Sequence, residues 1–131
     1  YLALKADTGA DFVYSSFRFG WKKFKLWPFD VERLKLMPYI PTSSLMCRES
    51  FVGFDESLKK FQDWDLFLTI AERGGRGVFI PEVLFRAIAG GHMSSWFPKI
   101  FFKLPFKTAK IKKQIIDYNQ AQQIIRKKHG I

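Results

Sequence analysis

Apolar positions along the chain fall into short blocks separated by glycine, proline and lysine. Asp11 to Phe17 alternates well enough for a half-buried strand. Val31 to Met37 predicts a short helix that Pro38 ends. Thr42 to Cys47 reads as a strand or buried turn leading into a short helix at Arg48-Glu49-Ser50-Phe51. Asp63 to Arg73 is the clearest helix of the body, with Trp64, Phe67, Leu68 and Ala71 on one stripe and Gly74-Gly75 as its stop. Val78-Phe79-Ile80 and Val83-Leu84-Phe85 predict a strand pair, or one strand broken at Pro81.

A last amphipathic helix is expected over residues 108–129. Thr108 is its N-cap, and Ile111, Ile115, Tyr118, Ala121, Gln122 and Ile125 recur at spacings of three and four, flanked by Ile116 and Ile124. Gly130 stops it, and Lys110, Lys112, Lys113, Arg126, Lys127 and Lys128 fall on or near its wet side. Helices mixed with strands in a chain of this length predict an α/β class, with the order and direction of the sheet left open. There is no internal repeat and no low-complexity tract.

Composition narrows this picture. Hydrophobic residues make up 47% of 131 positions, and 15 Phe, 4 Trp and 4 Tyr supply enough bulk for a core, which excludes wholesale disorder. Cys47 is alone, so an intrachain disulfide and a cysteine-based zinc site are excluded. Its setting in Ser44-Leu45-Met46-Cys47 predicts a buried thiol rather than a nucleophile. No apolar run reaches the ~18 to 20 residues of a membrane-spanning helix.

The net charge of +10 is unevenly placed. Residues 1–96 carry 13 basic and 11 acidic side chains, whereas residues 97–131 carry 9 basic ones and only Asp117. The chain therefore reads as a near-neutral body followed by a basic tail. Within the tail, Trp96 to Phe106 interleaves aromatics with Lys99 and Lys103, and Pro98 and Pro105 prevent one long helix. Two readings of the tail stay open. It is an anchor at an anionic membrane surface, or a helix packed on its own domain with solvated lysines opposite. Nucleic acid would use the same charge, but no recognised nucleic-acid module is present and none is expected as a partner.

The most informative stretch is Gly53-Phe54-Asp55-Glu56-Ser57-Leu58 followed by Phe61-Gln62-Asp63-Trp64-Asp65-Leu66. Asp63 lies where a helix begins, where a carboxylate can cap free N–H groups and face the positive end of the dipole. Capping would hold it ionised and ready to accept a proton, although an acid there also serves as an ordinary N-cap.

With Gly74-Gly75 and Ile80-Pro81-Glu82-Val83-Leu84-Phe85-Arg86, and with Pro41 to Arg48 upstream, these pieces stand in an order that resembles the C-terminal half of the catalytic domain of family 2 glycosyltransferases. The resemblance covers residues 1–96. It implies a partial GT-A (nucleotide-diphospho-sugar transferase) domain lacking its N-terminal nucleotide-binding half, followed by the amphipathic helix of the 97–131 tail. It further implies sugar transfer from a nucleotide-sugar donor to the hydroxyl of a saccharide or lipid-linked acceptor, with inversion at the anomeric carbon, as in polysaccharide biosynthesis. The expected setting is cytoplasmic, and peripheral attachment at the inner face of the membrane depends on which reading of the basic tail holds. As about half of a domain, the chain alone is not expected to turn over.

Residue by residue, the resemblance places the general base on Asp63 and puts Gln62 where the family has Glu, removing one negative charge beside the base. Phe54, Asp55, Trp64 and Asp65 would line the acceptor side, and Arg86 would meet the diphosphate or a nearby carboxylate. The implied ion is Mg²⁺ or Mn²⁺, held by a D-x-D upstream of this chain, with His92 as a late ligand. Asp63-Trp64-Asp65 spells the same D-x-D pattern, but residues two apart on a helix point about 200° from each other and do not suit one ion. The alternative is a non-catalytic membrane-surface or protein-interaction module that works through the basic C-terminal helix.

Overall fold

The computed structural model describes residues 9–88 and 109–131. Among these residues the protein is a small mixed α/β domain. A four-stranded sheet carries helices α1 (Val31–Leu36), α2 (Gln62–Glu72) and α3 (Ala109–His129), with one 3-10 turn at Arg48–Ser50.

The sheet is organised around β1 (Phe12–Phe19). On one edge it pairs in parallel with β4 (Gly77–Ala87) along its whole length. The other edge is shared. β3 (Leu45–Met46) pairs antiparallel with its start, and β2 (Lys22–Phe24) pairs antiparallel with its end. Aromatic and β-branched residues make β1 a strand and also fill the core, in which Phe12, Val13 and Tyr14 are buried. Pro81 does not break β4. The register jumps from Ile80 opposite Ser15 to Val83 opposite Ser16, then to Phe85 opposite Phe17. Bulges set Pro81 and Leu84 outside the ladder, so the missing proline N–H leaves no gap.

Strand β2 has no counterpart in the sequence pattern. Gly20, at φ 58°, begins the Gly20-Trp21 turn, as a two-residue hairpin of the II′ kind requires. Phe24, Phe17 and Phe85 then stack across three strands, with ring centroids 5.1 and 5.3 Å apart.

Helix α2 lies on β1, where Phe12 and Phe67 meet at 4.9 Å, and its Trp64, Leu66, Phe67, Leu68 and Ile70 are buried. Its C-terminus closes as the glycine pair predicts. Gly74, at φ 81°, donates to the Ala71 carbonyl and Gly75 to that of Ile70, the two bonds of a Schellman motif. Cys47 is buried, as expected, beside the Glu49 carboxylate.

Helix α3 packs on this body. Ile125 is fully buried in the common core, and Tyr118, Ala121 and Ile131 pack against it. Ile116 and Ile124 stay exposed, as flanking positions should. Tyr118, Ala121 and Ile125 of the predicted stripe are therefore spent on the protein's own core. At the end of the basic face Lys128 is exposed, as expected, while its ammonium reaches back to acids of the body, and Arg126 Nη2 donates to the Leu36 carbonyl at the C-terminus of α1. Thr108, the side chain of Ile111 and the aromatic segment Trp96 to Phe106 lie outside the described residues.

Candidate functional site

The N-terminal turn of α2 starts without a side-chain cap. Phe61 is the N-cap, in the left-handed conformation at φ 62° and ψ 27°, the one non-glycine residue with positive φ among those described. This places Asp63 inside the first turn rather than at the cap. Its Oδ1 accepts from the Trp64 N–H at 2.9 Å, satisfying one of the free donors of the turn. Burial works against this bond and prevails, raising the Asp63 pKa above the ordinary carboxylate value. Desolvation at a half-buried position thus gives the carboxylate a firmer hold on a proton than capping alone would.

Gln62 has a distinct task. Its Nε2 donates to the Leu58 carbonyl at 2.9 Å and lies 3.4 Å from that of Asp55, tying the 55–61 loop to the start of α2. A glutamate has no donor to offer those two oxygens at neutral pH. The Gln62 amide thus has a local structural use in this chain.

The other candidates divide. Trp64 is a core residue, 1% exposed, and its indole N–H donates to the Leu34 carbonyl at 2.6 Å. Asp65 is buried and faces away from Asp63, into the end of α3. Lys128 Nζ lies 2.8 and 2.9 Å from its two oxygens, and His129 Nε2 lies 2.8 Å from Oδ1. Lys128 also reaches Asp55 at 2.7 Å, so Asp55 and Asp65 are joined through one ammonium. With the Ser57 hydroxyl and N–H added, Asp55 is held down to about pKa 2, the Lys128 hydrogen bond being the largest cause. Phe54, next to this carboxylate, is half-exposed and meets Phe51 edge-on at 5.4 Å.

His129 completes the contact between α2 and α3, with Nδ1 2.7 Å from Glu72. Both ring nitrogens must carry hydrogen for both contacts to be bonds. Lys128 and His129 were not singled out from sequence as site residues. Helical period put Lys128 on the wet face, and no local signal ties either residue to acids more than fifty positions earlier.

Arg86 lies at the far end of β4, exposed and in register with Arg18. No contact joins it to Asp63 or Asp55 among the described residues. His92 lies outside the described residues. A divalent ion does not fit the residues that are described. Asp65 has both oxygens engaged by Lys128 and His129, Asp63 points elsewhere, and no cluster of three or more His, Cys, Asp or Glu side chains is placed to hold a metal. An open apolar depression of about 970 Å³ lies between Pro28–Val31 and Gly74–Pro81, and none of the candidate residues lines it.

Of the candidate acids Asp55, Asp63 and Asp65, Asp63 is the one without a cation among the described residues. It sits at the positive end of a helix and binds a proton more readily than an ordinary aspartate. No protein-family model matches the chain, and no curated protein matches it either.

Proposed function

We propose that this chain forms the acceptor side of an inverting glycosyltransferase of GT-A fold, with Asp63 as the general base that takes the proton of the attacking hydroxyl. The observation that carries the reading is the contrast within Asp63-Trp64-Asp65. Asp65 is locked to Lys128 and His129, and Trp64 is in the core, whereas Asp63 alone is free of any described cation and has its proton affinity raised by burial. Raising a carboxylate toward working pH is what a proton acceptor in group transfer needs. The ordered motif from Gly53 to Arg86 supports the same reading.

In this reading Asp63 removes the proton as the acceptor oxygen attacks the anomeric carbon. The bond to the nucleoside diphosphate breaks, and the proton stays on the carboxylate until solvent takes it. Phe54 is the exposed aromatic face against which a sugar ring would lie. The donor pocket, and the Mg²⁺ or Mn²⁺ that would stabilise the leaving diphosphate, are assigned to residues outside those described. The test is transfer from a panel of nucleotide sugars by the whole enzyme that carries this chain, compared with its Asp63→Asn variant. A loss of about a hundredfold to ten-thousandfold in kcat, with donor binding unchanged, is expected. Near-normal turnover removes Asp63 from the role.

The alternative, a membrane-surface or interaction module working through α3, has exposed cations at Lys112, Lys113 and Lys127 among the described residues. Tyr118, Ala121 and Ile125 of that helix's apolar stripe are already packed on the body.

A further inference from the structure

Three cations stand side by side across the end of the sheet. Lys23 of β2 is in register with Arg18 of β1, and Arg18 is in register with Arg86 of β4. All three are exposed, and none has an ion pair or hydrogen bond from its side chain among the described residues. Like charges directly opposite one another on neighbouring strands repel, so the row costs the isolated fold stability. It is compensated when an anionic surface lies against it.

The hairpin that closes this end gives the surface its character. Trp21, at the turn, is 98% exposed, and Ile88, just past the end of β4, is 85% exposed. Lys25 adds another exposed cation, and residues 17–29 contain no acid. A large aromatic ring and an aliphatic side chain beside unpaired guanidinium and ammonium groups match the chemistry of the lipid interface. There the rings settle at headgroup depth and the cations meet phosphate.

We infer that the β1–β2 hairpin end of the sheet docks on an anionic lipid bilayer, with Trp21 inserted at the interface and the Lys23–Arg18–Arg86 row against the headgroups. This goes beyond the catalytic reading and stands whether or not Asp63 is a base. It also moves membrane contact from the tail helix to the body. A nucleic acid would use the same cations, but the isolated Trp21 and Ile88 are apolar contacts that a bilayer accommodates without base stacking at several sites.

The test is flotation of the full chain with vesicles of phosphatidylcholine alone and with about one-third phosphatidylserine, at low salt, the fraction being chosen for a strongly negative surface. Binding is expected only to the anionic vesicles and should fall as salt rises. Arg18→Gln, Lys23→Gln and Arg86→Gln together should weaken it about a hundredfold, at roughly fivefold per cation. Trp21→Ala should weaken it about tenfold or more, since a buried aromatic ring contributes on this scale. Lys112→Gln, Lys113→Gln and Lys127→Gln on α3 should leave it within a few-fold. Unchanged binding by the hairpin variants, or abolition by the α3 variants, overturns the assignment. So does absence of binding to anionic vesicles, or tighter binding to a single-stranded oligonucleotide than to the vesicles. Thermal unfolding checks the fold of the variants independently. Arg18→Gln should unfold at the same or a higher temperature, because it relieves repulsion, and a lower one contradicts the unpaired row.

Discussion

Lys128 Nζ bridges the two oxygens of Asp65 at 2.8 and 2.9 Å and extends to Asp55 at 2.7 Å. One ammonium near the C-terminus of the last helix thereby closes the chain onto two acids of the body. Asp65 is the more demanding partner, because its side chain is only 5% exposed and a buried carboxylate without a cation is costly.

A double-mutant cycle on Lys128→Met and Asp65→Asn should give a coupling of about 1–3 kcal/mol in urea unfolding. Single loss of Lys128 should be the worse event, since it strands Asp65 with His129 alone. Additive effects would mean that the bridge contributes nothing.

The pH dependence follows from the same ammonium. Asp55 is depressed in the folded state, from an ordinary 3.8 to about 2. The folded state thus binds this proton less readily than the unfolded chain, and the contribution is fully present above about pH 4. It is lost as pH falls through the interval from about 4 to 2. Carboxyl chemical shifts of Asp55 should titrate near 2 in the wild type and closer to 3.8 in Lys128→Met.

Asp63 has the opposite sign. Its folded pKa is raised, so ionised Asp63 opposes folding at neutral pH and is relieved as pH falls through its folded value. Asp63→Asn keeps an oxygen for the Trp64 N–H and removes the buried charge. It should raise the melting temperature by roughly 1–4 °C while abolishing any transfer that uses this base. A lower melting temperature would show that the carboxylate is structural.

Gln62→Glu tests the structural use of the amide. The new carboxylate would face the Leu58 and Asp55 carbonyls without a hydrogen to give them. A loss of about 1–2 kcal/mol in unfolding free energy is expected. An unchanged protein would mean that the loop relaxes freely.

Gly77→Ala should cost about 1–3 kcal/mol, because the added Cβ would fall 2.4 Å from the buried ring of Phe12. Far-UV and near-UV circular dichroism would separate a shifted β1–β4 contact from loss of the fold.

The helices were legible because each pairs an apolar stripe with a stop signal. Gly74-Gly75 after α2 and Gly130 after α3 mark ends that the hydrogen bonds confirm. Strand β2 was not legible, because three residues with two lysines carry no strand pattern of their own and become a strand by pairing with β1. Pro81 misled for a related reason, since bulges that remove it from the ladder depend on the partner strand. Of the site, Asp63 and its place at the start of a helix were readable. The commitment of Asp65 was not, because the residues that claim it lie more than sixty positions away.

Phe61 holds a conformation that a bulky side chain adopts only under constraint, at a cost of about 1–2 kcal/mol. The constraint comes from one neighbour close in sequence and one far away. Its buried ring meets Trp64 of the helix it begins at 5.7 Å and Tyr118 of the distant α3 at 5.0 Å. Tyr118 therefore acts as a wedge behind the first turn of α2. Loss of the Tyr118 ring would remove one of the aromatic contacts that hold Phe61, the residue that opens the helix of the proposed base.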